Sequence, residues 1–314
     1  MLAFFSPYGP CRAGLWTDRK RIPLAILSLL LMPCAAPAAA QPSPQTAAAA
    51  QGSELFDRVI ANQKHSEMEL DQYERIQKTE SHKSGSDPGP ASVKVQRLFP
   101  AGPAISRITL SPEGKPASTE GYRSDLEKLE RYLVWVAQDG SAQKDAYARA
   151  ERKRKERFDL IEDTRHAFLF SLEGKETRNG RLLLRYVMEP NPRYKPTSRS
   201  TTLFTRVHGT IWIDEQSSQL AKVDGTVMED ISLSLFLAKV YKGSHFMQER
   251  YEVAPGVWEP TFEQYDFDGR KLLMPFSVHE RTFYTDYKFV GPPSAALELV
   301  RTELHKLGAD PSTP

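Results

Sequence analysis

The stretch Gly209-Thr-Ile-Trp-Ile-Asp-Glu-Gln-Ser-Ser-Gln-Leu-Ala-Lys-Val-Asp-Gly-Thr-Val227 decides how the rest of the chain is read. In its first half Ile211 and Ile213 alternate with Trp212. In its second half Ala221, Val223, Gly225 and Val227 alternate with Lys222, Asp224 and Thr226. A period of two puts each set on one face of a strand, because successive side chains leave a pleated backbone on opposite sides. The link Asp214–Ser218 is short and polar. Strands joined so tightly are antiparallel neighbours, since a parallel pair needs a crossover of a dozen residues or more.

The same unit repeats outward. Strands are predicted over Phe168–Leu172 and Arg181–Met188, flanking the turn signal Arg178-Asn179-Gly180. Further strands are predicted over Ser200–Asp214, Gln219–Glu229, Ser244–Val253, Trp258–Phe267 and Leu272–Tyr287, the later joints being Ala254-Pro255-Gly256 and Asp268-Gly269. Upstream, Glu67–Thr79, Val93–Leu98 and Ala104–Leu110 read as strands, with Ser84–Ser92 as a loop and Ser111–Lys115 as a turn. The apolar segment Asp230–Tyr241 is expected to be a short helix or a loop between strands.

Helical spacing marks three regions. Ser53 is a predicted N-cap for a helix carrying Leu55, Phe56, Val59 and Ile60 and running to about Lys64. Residues 122–160 carry the stripe Leu126, Leu129, Tyr132, Leu133 and Val136, with a break at Asp139-Gly140-Ser141. A last helix is predicted over Ser294–Leu307. Nine or ten antiparallel strands in one sheet do not stay flat, because strand twist curls them. The predicted class is α+β, a curled antiparallel sheet forming an unclosed half-barrel with helices covering its concave face.

At the start of the chain, Arg12, Arg19, Lys20 and Arg21 precede the apolar run Ile22-Pro-Leu-Ala-Ile-Leu-Ser-Leu-Leu-Leu-Met32 and then Ala38-Ala39-Ala40. This order matches a secretory signal cleaved after Ala40, and the run falls short of the ~20 apolar residues a bilayer span takes. The expected divisions are residues 1–40 as signal peptide, 41–52 as flexible linker, 53–290 as the working domain, and 291–314 as C-terminal helix and tail. Cleavage would remove both Cys11 and Cys34 and leave 38 basic against 39 acidic residues. A thiol-free chain suits an oxidising compartment, and the expected location is the periplasm.

Near-neutral charge argues against nucleic acid as a partner. Basic residues concentrate locally in Arg149, Arg152, Lys153, Arg154, Lys155 and Arg157, interrupted by Glu151 and Glu156. This segment is expected to be a solvated, ion-paired helix face, or alternatively a contact for anionic lipid headgroups. The sequence holds no G-x-S-x-G, P-loop, G-x-G-x-x-G or H-E-x-x-H motif, and its seven histidines show no i, i+2 or i, i+4 pair. The expectation is a protein that is not an enzyme and uses no metal or cofactor. Asp224, Glu229 and Asp230 offer the carboxylates a hydrolase of envelope polymers would need.

Several of these residues also carry a family likeness. Gly209-Thr-Ile-Trp-Ile-Asp214, Leu220-Ala-Lys-Val-Asp224, the strand Phe246–Val253 and Gly256-Val-Trp258-Glu-Pro260 follow one another in an order that resembles exported bacterial proteins of the outer-membrane lipoprotein-sorting (LolA/LolB-like) superfamily, especially acidobacterial-type members. Asn62-Gln63 and the closing strand Val278–Tyr287 fit the same likeness, which spans about residues 53–290. It implies an unclosed antiparallel barrel whose helices plug an apolar cavity that shelters acyl chains. It also implies that Trp212, Asp214, Trp258 and Pro260 fix hairpins. The resulting expectation is a periplasmic carrier or sensor for a lipid or lipoprotein acyl chain, with an envelope protein-interaction or stress-sensing module as the alternative. The expected cavity residues are Trp212, Val223, Val227, Leu235, Phe236, Val240, Phe246 and Phe262, with Leu235 and Phe236 in a mobile lid.

Overall fold

The computed structural model describes residues 44–82, 91–198, 200–234, 238–271 and 274–309. The signal segment, the loop at 84–90, and the lid residues Leu235 and Phe236 lie outside the described residues. The elements are, in order, α1 (Pro44–Glu69), a 3-10 turn (Leu70–Gln72), β1 (Tyr73–His82), β2 (Ser92–Pro100), β3 (Ile105–Ser111), α2 (Thr119–Val136), α3 (Ser141–Ala167), β4 (Phe168–Arg178) and β5 (Arg181–Pro190). A second 3-10 turn (Thr201–Arg206) leads to β6 (Val207–Asp214), β7 (Leu220–Val227), β8 (Ile231–Ser234), β9 (Ala238–Val240), β10 (His245–Ala254), β11 (Val257–Lys271), β12 (Met274–Phe289) and α4 (Pro293–Ala309).

All twelve strands belong to one antiparallel sheet in the order β3-β2-β1-β12-β11-β10-β7-β6-β5-β4, with β8 and β9 branching from β11. The sheet is not closed: β3 and β4 are its edges. This is the α+β curled sheet expected from the alternation. The first and last strand groups meet through β1 and β12, which pair from Tyr73↔Phe289 to His82↔His279.

Helices cover different parts of the two faces. α1 and α3 lie over the face that carries Leu184, Met188, Ile211, Val227 and Phe246, forming the largest core cluster with Leu55, Val59 and Phe168. α2 and α4 pack over β2 and β3 on the opposite face, where Phe99 and Ile108 meet Leu126, Leu129, Leu133 and Val300. Arg97, beside Phe99 on that face, bonds Glu74, Glu303 and the Tyr122 hydroxyl, closing the seam between sheet and both helices. The expected break between α2 and α3 falls at 137–140, and the Gln143 amide donates to the Trp135 carbonyl across it.

Four boundaries differ from the sequence reading. α1 begins at Pro44, so most of the expected linker is helical; Pro at the first helical position followed by Ala47–Ala50 favours helix over coil. That helix also continues through Glu67–Glu69, and the strand starts only at Tyr73. Residues 201–206 form a 3-10 turn rather than strand. The segment expected to be helix or loop after Asp230 forms β8 and β9, whose Ile231 and Val240 are buried in the main core.

β9 also explains why Asp268-Gly269 is not a turn. β11 runs through it because Gly269 pairs with Val240, and a Cβ at Gly269 would lie 2.1 Å from the Lys239 carbonyl oxygen. Glycine is there for close approach of the neighbouring strand. Gly225 serves the same purpose for a side chain: its Cβ would sit 2.4 Å from the ring of Phe246, which is buried in the core above it. Gly225→Val is expected to cost about 1–3 kcal/mol by overpacking. Urea unfolding of a double-mutant cycle with Phe246→Ala should show coupling; additive costs would show that the two positions do not share this space.

Candidate functional site: a cavity under α1 and α3

The cavity forms where three elements cannot fully interlock. α1 contributes Phe56, Val59, Ile60 and Gln63, and α3 with the start of β4 contributes Ile161, Thr164, Arg165, Phe168 and Phe170. The floor is Met188 of β5, Ile211 of β6, Leu220 and Val223 of β7 and Gln248 of β10. Its volume is about 80 Å³, lined mainly by carbon. That holds small groups, well below the ~300 Å³ at which ligand pockets usually begin. Phe56 closes one side, stacked on Phe170 at 4.2 Å between ring centroids and edge-on to Tyr186 at 5.3 Å.

Polar contacts seat α1 around this cavity. Arg58 donates to the Ser218 hydroxyl, and the Asn62 amide donates to the carbonyls of Ser217 and Ser218 in the β6–β7 turn. Lys64 pairs with Glu162 at 2.6 Å, Arg157 with Glu67 at 3.2 Å, and Arg165 with Asp57. Lys64 holds the Glu162 carboxyl below the usual carboxylate range through its hydrogen bond. Several of these pairs are part-exposed, so each is worth little, on the order of 1 kcal/mol or less. The Gln63 side-chain nitrogen is buried in the cavity wall with no hydrogen-bond partner.

The structure sorts the eight expected cavity residues. Val223 lines the cavity, and Val227, Val240 and Phe246 are buried in the same core cluster around it. Trp212 and Phe262 stand on the other face of the sheet. Trp212 packs beside Leu183, Ala221 and Trp258 under the Lys222 ammonium, 4.8 Å from its ring. Phe262 pairs in register with Phe283, their rings 5.1 Å apart. Strand alternation forces this, since Trp212 cannot share a face with Ile211. A register shift between Trp212 and Ile213 also pairs Ile213 with Leu220, which brings Leu220 to the cavity and leaves Ala221 against Trp258. The contributions of α1 and α3 are not among the residues expected from sequence, although the Leu55, Phe56, Val59, Ile60 spacing marks a buried face of α1.

Next to the apolar cavity the same sheet face turns polar. Gln248 donates to Glu263 at 2.7 Å, and the Tyr284 hydroxyl donates to the other Glu263 oxygen at 3.0 Å. Arg250 is 3% exposed; it donates to the Trp258 carbonyl and to Gln248, and lies 3.6 Å from Glu259. Glu259 is fully buried, and neither of its carboxyl oxygens accepts a hydrogen bond. Burial therefore pushes its pKa from the ordinary 4.5 up to about 8, against the pull of Arg250 and Arg75. Burial likewise raises Glu280 and the Tyr284 and Tyr287 phenols.

No protein-family model matches the chain, and no curated protein matches it. Among solved structures similar to it is a domain described as an outer membrane lipoprotein-sorting protein from Vibrio parahaemolyticus, at 10% identity over 78% of this chain and 99% of that one, with a TM-score of 0.29. A DUF1329 family protein from Desulfovibrio piger matches at 11% identity, covering 75% of this chain and 92% of its own, with a TM-score of 0.27. A LolA superfamily protein from Nitrosomonas europaea matches at 9% identity, covering 77% and 94%, with a TM-score of 0.25.

The raised Glu259 pKa has a defined consequence for stability. The folded state holds a proton that the unfolded chain releases near 4.5, so this group's contribution is complete below about pH 4.5 and is lost as pH rises through 8. Urea midpoints measured from pH 5 to 8.5 should therefore fall less steeply for Glu259→Gln than for the parent, by up to ~1.4 kcal/mol per pH unit. Parallel curves would show that Glu259 is ionised in the folded protein.

Proposed function

We propose that the chain is a non-catalytic carrier or sensor that takes up one hydrophobic chain, of the acyl class, between α1 and the sheet. The observation that carries this reading is an apolar cavity whose roof, α1, is held at its rim by part-exposed polar contacts. Lifting this roof breaks the rim contacts and parts Leu55 and Val59 from the main core, and the incoming chain takes their place against the sheet. Lifting is required, because the closed volume of about 80 Å³ is too small for an acyl chain. Ten methylenes moved from water into the enlarged space would gain about 8 kcal/mol, to set against the lost rim contacts and the parted Leu55 and Val59. Gln63 supplies a buried donor for the one polar group an acyl ester or amide brings with it.

The order of Arg12–Ala40, that of a secretory signal, supports the same reading, with the working domain, residues 53–290, acting in the periplasm as part of the proposal. The likeness of the 209–260 motifs to lipoprotein-sorting proteins points to a lipid or lipoprotein as the source of the chain. Protein purified from a bacterial host is expected to carry lipid detectable by mass spectrometry of an organic extract, and the delipidated protein to bind a fluorescent fatty acid. Val223→Trp, which fills the floor, should weaken that binding at least tenfold while unfolding stays cooperative. A clean extract with no fluorescent uptake would overturn the reading.

A further inference from the structure

The two edges of the sheet are unlike. On β3, Asp125 of α2 accepts a hydrogen bond from the Thr109 N–H, and the chain beyond the strand returns so that the Ala117 N–H donates to the Leu110 carbonyl. β4 pairs with β5 alone among the described residues. The Asn191 N–H donates to the Ala167 carbonyl at the start of that pairing. Backbone groups alternate along an antiparallel ladder, so Leu169 and Ser171 turn theirs to β5 while Phe168, Phe170 and Leu172 turn theirs outward. Among the described residues nothing bonds those outward groups.

An unpaired row of N–H and C=O groups templates another strand, and proteins blunt such edges with charges, proline or a bulge. The second half of β4 is blunted in this way. A bulge lies between Leu172 and Gly174, and Glu173, Lys175 and Arg178 pair with Arg185, Glu215 and Glu249. The first half, Phe168-Leu-Phe-Ser-Leu172, has no charge, proline or glycine. Its Leu169 and Leu172 are 51% and 56% exposed.

We propose that a second copy of the chain pairs with this segment, β4 against antiparallel β4, with the two-fold axis at Phe170. This register sets all three outward residues opposite outward residues and keeps the bulge outside the ladder. Phe168 faces Leu172 of the other copy, Phe170 faces its counterpart, and Leu169 faces Ser171. Both exposed leucines are then covered, Leu172 on the core face and Leu169 on the other. Just past the ladder, Glu173 comes opposite Ala167, next to Arg165 and His166 in the basic last turn of the other copy's α3. The contact is isologous, so it closes at two copies and does not grow into a fibre. Phe170 also lines the apolar cavity, and its counterpart extends that wall across the seam. Each copy thereby supplies part of the other's site. This last step rests on the acyl-chain reading; the pairing does not.

Sedimentation equilibrium over a range of concentrations tests the pairing. The parent is expected to dimerise. L169K/L172K puts like charges at the seam, on positions exposed in the single copy, and should weaken dimerisation at least tenfold with circular dichroism and urea midpoint unchanged. In a C11S/C34S background, oxidising a mixture of L169C and S171C proteins should give a linked dimer that neither protein yields alone, because 169 and 171 face each other as a non-hydrogen-bonded pair. A parent that is monomeric at every concentration, or a dimer indifferent to the lysines and not linked in the mixture, would overturn the pairing. A fluorescent fatty acid tests the shared wall separately. Uptake lost in L169K/L172K supports it, and unchanged uptake by that variant overturns it while leaving the pairing. No uptake by the parent overturns the acyl reading alone.

Discussion

A sheet of ten strands in one continuous path satisfies its backbone hydrogen bonds internally, but it presents two large faces to be covered by a chain of limited helix content. Everything else in the molecule follows from how that coverage is shared. α1 and α3 cover one face at the β4–β10 end, and α2 and α4 cover the other face at the β2–β3 end. Each helix pair buries an apolar stripe against strands whose alternation matches it. Where neither pair can fill the space, the structure leaves a small apolar cavity and a polar recess on the two sides of α3 residues 157–161.

Between the two cores the covered face is not apolar at all. Arg75, Gln248, Arg250, Glu259 and Glu263 are all buried there, with Tyr284 bonding Glu263. Desolvating charges costs several kcal/mol per ion unless partners replace water, and Glu263 and Arg250 find such partners. Glu259 does not, and its raised pKa is the cheaper solution, since a neutral carboxyl is far less costly to bury than a carboxylate. This zone marks the limit of the apolar cavity, whose floor runs over β5–β7 and ends at Gln248 of β10.

Charge on the helices is arranged to complement that division. Arg157, Arg165 and Lys64 tie α1 to α3 at the rim, so the cationic segment of α3 is partly structural. Arg154 likewise reaches Asp71 in the 3-10 turn after α1 and Glu151 on its own helix. The segment that reads in sequence as a basic, ion-paired helix face is in space fastened to α1 and to the turn that follows it.

By itself the sequence determined the sheet. Ile211, Ile213, Val223 and Val227 alternate, their links are too short for crossovers, and an antiparallel curled sheet is the arrangement those two facts permit. It also determined the break between α2 and α3 and the apolar stripe of α1. It could not decide which strand face meets which helix, because alternation separates two faces without saying which is covered. Trp212 and Phe262 fall with Val223 on sequence grounds, while register puts them across the sheet. Nor could it show the register shift that exchanges Leu220 for Ala221, the strands hidden in 231–240, or the ion pairs that fasten α3 to α1. Those depend on distances between residues far apart in the chain, and only packing in three dimensions sets them.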